Sequence, residues 1–144
     1  MKVNYVVIDE VFAIHERMLN IGGGRQGIRD FTLIHSAIER PKATFAQKDL
    51  YPSIWLKAAA IIQSLVRNHL FNDGNKRTAL ATTVRFLHIN GYKIAASHKE
   101  IVDFTLNIQK KNFHFEDIST WLKKNSCRVQ PCKANIFRAA ARGS

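Results

Sequence analysis

Nine consecutive residues, His69-Leu70-Phe71-Asn72-Asp73-Gly74-Asn75-Lys76-Arg77, put an imidazole, a carboxylate, side-chain amides and two cations around a single glycine. Groups of this kind are costly to bury unpaired, so the stretch has to be a loop with the fold arranged on both sides of it. Upstream, Ala58, Ile61, Ile62, Leu65 and Val66 follow the 3.6-residue period of an amphipathic helix. Continuing that stripe one step reaches His69 and turns its imidazole inward. Downstream, Thr78 to Asn90 forms a second helical pattern, with Leu80, Val84 and Leu87 on one face and Gly91 placed to end it. Asp73-Gly74 is a turn pair, and the amides from Gly74 to Arg77 become the unpaired donors that open the second helix. Such a helix start is an anion cradle, to which Lys76 and Arg77 add full charges.

The chain has 144 residues, 46% of them hydrophobic, which suffices for one domain with a real core and not for two. No apolar run reaches the ~18 residues of a membrane span, and Asp9 and Glu10 interrupt the start before a signal-peptide core could form. A cytoplasmic protein with no membrane partner is expected. Cys127 and Cys132 lie near the C-terminal end with no histidine close by, so they read as ordinary thiols. The net charge of +11 raises nucleic acid, anionic ligands and acidic proteins as partners. About half of that excess follows Asp117, on Lys123, Lys124, Arg128, Lys133, Arg138 and Arg142. With Phe137 as the one interleaved aromatic, this tail does not favour nucleic acid.

The chain opens with the β-branched run Val3 to Ile8, read as an extended entry. Asp9 to Asn20 is a first helix, and Gly22-Gly23-Gly24 a connector, since a phosphate loop of the Walker type would need a preceding strand and a Lys-Ser/Thr pair. Asp30 caps a second helix that Pro41 stops at Arg40. From Lys42 to Pro52 there is neither period nor cap. Ser53 caps the long helix leading to His69, Tyr92 to Ile94 is extended, and Ser97 with Glu100 is a capping box. A last helix, Glu116 to Lys124, carries acids at its start and lysines at its end, as its dipole prefers. Beyond Asn125 the pattern dissolves. The expectation is an all-α fold, a bundle of about six or seven helices with the polar loop between two central ones. Residues 1–125 form the domain, and 126–144 a basic tail that can be disordered.

Together the loop residues are the parts of phosphoryl or nucleotidyl transfer: a base (His69), a carboxylate suited to Mg²⁺ (Asp73), backbone donors, and cations for phosphoryl oxygens. Ser64 and Thr78 flank the loop without the ordered base and acid of a hydrolase triad, so the attacked hydroxyl belongs to a substrate. Taken singly, each residue has a plainer role. His69 can be a core histidine, Asp73 the N-cap of the next helix, Asn75 a cap, Phe71 a packing anchor and Arg67 a surface charge. A basic module that grips RNA or DNA phosphates without catalysis is a further reading, which a carboxylate inside the loop opposes unless a metal intervenes.

His69-x-Phe71-x-Asp73-Gly74-Asn75-Lys76-Arg77-Thr78-Ala79 resembles the signature of the Fic/Doc superfamily, and its Doc (death-on-curing) toxin branch in particular. Gly27 to Asp30, Ala37 to Pro41, Asp49 to Pro52 and the Phe86 to Tyr92 segment agree, so the resemblance covers Tyr5 to Lys124. It implies the Fic/Doc fold, His69 as general base, Asp73 as the catalytic acidic position associated with Mg²⁺, and Gly74, Asn75, Lys76 and Arg77 as the nucleotide-phosphate loop. Arg67 matches an arginine seen in Doc-type proteins and is counted with those loop residues as nucleotide-phosphate-binding, and the Lys42 to Pro52 region matches a flap that aligns the target chain. Adenylylating Fic proteins carry a second glycine where this chain has Lys76 and a second arginine where it has Leu80. In Doc-type toxins the lysine goes with kinase activity, the γ-phosphate of ATP facing the attacking hydroxyl. The resemblance therefore implies an ATP- and Mg²⁺-dependent protein kinase toxin of a toxin-antitoxin system, arresting translation through a threonine of elongation factor Tu. A Fic-type adenylyltransferase is the alternative. With Leu80 in place of that arginine, the self-inhibition used by some Fic proteins is closed, and a Phd-like antitoxin is the implied partner.

Overall fold

The computed structural model describes residues 2–129, in which a helix in mid-chain is buried on nearly every side. The helices are α1 (Ile8–Gly22), α2 (Phe31–Glu39), α3 (Ile54–Arg67), α4 (Asn75–Ile89), α5 (His98–Gln109) and α6 (Phe115–Lys124). Helix α3 touches α2, α4, α5 and α6. Its Ala58, Ala59 and Ala60 let neighbours approach closely, while Ile61, Ile62, Leu65 and Val66 fill the space between them. Truncating one of these larger side chains to alanine costs about 2–5 kcal/mol. The fold is an all-α bundle, as the sequence pattern implies.

Its starts are set by local chemistry. The carboxylate of Asp30 accepts from Leu33 N–H at 3.0 Å, Ser53 Oγ from Leu56 N–H at 3.1 Å and Ser97 Oγ from Glu100 N–H at 3.2 Å. Val3 to Val7 joins no sheet among the described residues. This lead-in is held instead by Asn4, which donates its main-chain N–H to Asn90 Oδ1 at 2.9 Å and accepts from Asn90 Nδ2 at 2.8 Å.

Of two small sheets, the first corrects the sequence reading, and the second contains the Tyr92 to Ile94 stretch read as extended. The stretch from Lys42 to Pro52 contains an antiparallel hairpin, β1 (Thr44–Phe45) and β2 (Lys48–Asp49), turning through Ala46 and Gln47 at φ 51° and 65°. Two consecutive positive φ values make a tight hairpin turn, and the usual Asn-Gly signal for one is missing from Ala46-Gln47. Buried Lys57 anchors the hairpin's base, donating to the Pro41 carbonyl at 3.0 Å and lying 3.5 Å from an Asp49 carboxylate oxygen. The second sheet pairs β3 (Tyr92–Ile94) with β4 (Ser126–Arg128). Order thus continues past Asn125, in a strand too short for a period to show. Cys127 is exposed on β4, whereas Cys132 and the rest of the basic tail lie outside the described residues.

Candidate active site

Helix α3 ends at Arg67 because Asn68 leaves helical geometry, at φ −100° and ψ 131°. That change of direction also ends the apolar stripe. His69, expected to turn inward, is exposed at the surface, and Leu70 and Phe71 take the buried positions instead. Extrapolating a helical period across the end of a helix put the imidazole on the wrong side.

The following loop is held on three sides. Arg29 N–H donates to the Leu70 carbonyl at 2.8 Å, and Asn72 N–H to the Gly27 carbonyl at 3.0 Å, fixing the loop to the segment before α2. From within, Asn75 Oδ1 accepts from Leu70 N–H at 3.1 Å and Phe71 N–H at 2.9 Å, while its Nδ2 donates to the Phe71 carbonyl at 2.9 Å. The Asn75 side chain is therefore spent on the loop itself. From α1, buried His15 stacks on Phe71, centroids 3.8 Å apart at 12°, and places Nε2 2.8 Å from the Asp73 carbonyl.

Gly74, at φ 74° and ψ 18°, is the N-cap of α4, so the helix starts at Asn75 rather than Thr78 and Asp73 precedes the cap. The first main-chain bond of the helix runs from Thr78 N–H to the Gly74 carbonyl at 2.9 Å. The amides of Asn75, Lys76 and Arg77 come before it, with no acceptor in the helix. Asp73 Oδ2 accepts from Arg25 N–H at 3.1 Å and Oδ1 from Gly74 N–H at 3.2 Å. These two bonds, helped by the charges of Arg25 and Arg77, hold its pKa below the ordinary carboxylate value.

A cleft of about 300 Å³ gathers His69, Asp73, Gly74, Asn75, Lys76 and Arg77. Val66 and Gln109 complete its walls, and none of its lining residues is a serine, threonine or cysteine. Lys76 is exposed there. Arg77 is partly committed, donating to the Met18 carbonyl at 2.7 Å and the Gly23 carbonyl at 2.8 Å. The glycine connector serves this contact, since a Cβ at Gly22 would collide with the Arg77 guanidinium. Arg67 is not in the cleft. Half-buried, it donates to the Ile108 carbonyl at 3.3 Å and the Phe113 carbonyl at 2.9 Å, tying α3 to the end of α5. His15 and Gln109 escaped the sequence reading. His15 sits among the apolar residues of an ordinary amphipathic helix, and nothing in α5 signals where its last turn meets the loop.

An exposed imidazole, an ionised carboxylate, helix-opening amides without an acceptor in the helix and an exposed lysine thus share one small cleft, an arrangement with the donors and charges to bind an anion. The chain belongs to the Fic/DOC family, whose model matches residues 5–87. Within it the chain falls in the Doc branch. It is 41% identical over 121 residues to Toxin Doc of Mycolicibacterium smegmatis, covering 83% of this chain and 84% of that protein. It is 28% identical over 116 residues to Protein kinase doc of Escherichia phage P1, covering 81% and 90%.

Proposed function

We propose that this chain is a Doc-type toxin that transfers the γ-phosphate of ATP to a hydroxyl of a target protein. The observation that carries the reading is the cleft's inventory: His69 beside the open amides of α4 and Lys76, with no nucleophile of its own. His69 takes the proton of the incoming hydroxyl, whose oxygen attacks the γ-phosphorus as the bond to the β–γ bridging oxygen breaks and ADP leaves. The amides of Asn75 to Arg77 and the Lys76 ammonium stabilise the charge on the phosphoryl oxygens. Among the described residues no three His, Cys, Asp or Glu side chains gather to hold a metal by themselves. One ionised carboxylate does fit Mg²⁺, which is commonly bound through one or two carboxylates plus substrate phosphates. Asp73 would be that ligand, and Mg²⁺, when bound, neutralises phosphate oxygens. A second cleft of about 270 Å³ shares Lys76 and Arg77 and is walled by Leu80, Val102 and Leu106, which suits the nucleoside.

The hairpin β1–β2, held at its base and carrying Phe45 at 77% exposure, supports a role in aligning the target. By resemblance the target is a threonine of elongation factor Tu in the cytoplasm, and the restraining partner a Phd-like antitoxin. No described helix is long and apolar enough to cross a membrane. Incubation with cell extract and either γ- or α-labelled ATP tests the proposal. Protein labelling from γ alone, lost in His69→Ala, is expected. Labelling from α would instead establish an adenylyltransferase, and labelling from neither a binding module.

A further inference from the structure

We infer that His15, on α1, is a positioning residue that locks the peptide between Asp73 and Gly74 in the orientation that phosphate transfer requires; the inference rests on the transferase reading of the cleft. A carbonyl oxygen only accepts, so the 2.8 Å contact with His15 Nε2 means that Nε2 carries the proton and donates it to the Asp73 carbonyl. In a planar trans peptide the C=O and the following N–H point in opposite directions. With the carbonyl held toward α1, the Gly74 N–H is turned the other way, onto Asp73 Oδ1 at 3.2 Å.

This peptide could turn over cheaply. Gly74 has no Cβ and takes φ of either sign, so its present value of 74° is not imposed by its own sterics. Turned over, the peptide would withdraw one of the two amides that donate to the Asp73 carboxylate and set a carbonyl oxygen against it. A donor would be exchanged for an acceptor at a cleft built for anions. The remaining loop contacts do not prevent this, because Asn75 and the segment before α2 hold Leu70, Phe71 and Asn72 upstream of the peptide, and the Arg25 amide holds the Asp73 side chain rather than the peptide itself.

Two variants of the full chain separate the donor from the ring. His15→Phe keeps an aromatic ring to stack on Phe71 and removes the N–H, whereas His15→Gln keeps an N–H donor and removes the ring. If the donor matters, His15→Phe lowers kcat for γ-transfer on the order of 10- to 100-fold, the scale of a small misplacement of catalytic groups. It should also weaken binding of inorganic pyrophosphate, and His15→Gln should restore most of both. Wild-type activity in His15→Phe, or His15→Gln no better than His15→Phe, overturns the assignment. Nitrogen-15 NMR of the wild type gives a check independent of whether either variant folds: the neutral imidazole of His15 must carry its proton on Nε2, and a proton on Nδ1 overturns the proposal. Absence of γ-transfer by the wild type would sink the kinase reading alone, since the NMR and pyrophosphate measurements do not depend on turnover.

Discussion

Asp73 is kept ionised chiefly by two main-chain amides, those of Arg25 and Gly74. Its folded pKa lies below the reference value of 3.8, so the contribution of these bonds to stability is present above that value and is lost as pH falls through the lower folded pKa. Asp73→Asn should therefore lower the melting temperature at neutral pH, with the gap from wild type closing as the pH falls below the ordinary carboxylate value. A gap that stays constant with pH would mean that the charge is not involved. Asn75→Ala removes the acceptor of two loop amides at once and should cost about 1–3 kcal/mol for each that stays unsatisfied, read by urea denaturation. Asn75→Asp, which keeps the acceptor, should cost less. At this scale the sequence was legible wherever a residue acts on its own neighbours, as Asp30, Ser53 and Ser97 do in capping. It was not legible where one side chain admits several roles toward nearby groups. Asn75 could be read as a cap or a phosphate ligand, and only the fold reveals it as the brace of Leu70 and Phe71.

Among the elements, α3 and α5 meet through Arg67, whose two acceptors lie at and beyond the end of α5. Gln109, the last residue of α5, is also a wall of the cleft. Arg67→Ala is expected to cost about 1–3 kcal/mol in denaturation and to speed hydrogen exchange in the last turn of α5. Exchange there at the wild-type rate would show that the turn is held by something else. The helices could be read from sequence because their period and caps are local. Tyr92 to Ile94 was read as extended and is β3, but its partner β4 and the hairpin could not be read, because two or three residues are too few for alternation to register. His69 shows the same limit from the other side, a period carried one residue beyond the element that generates it.

For the molecule as a whole, the net charge of +11 bears on how a partner arrives rather than on how the chain folds. An acidic antitoxin should associate at a rate that falls steeply with added salt while dissociation changes little, which stopped-flow mixing at several ionic strengths would measure. An association rate indifferent to salt would exclude electrostatic steering. The contacts that shape the cleft are also far apart along the chain. His15 reaches 58 residues forward to Asp73, and Arg67 reaches 46 residues forward to Phe113. A ribosome making this protein adds the imidazole, the carboxylate and the lysine to the chain before it reaches the Ile108 and Phe113 carbonyls that Arg67 requires or the Gln109 wall. The growing chain thus carries its chemical groups for some time without the frame that aims them.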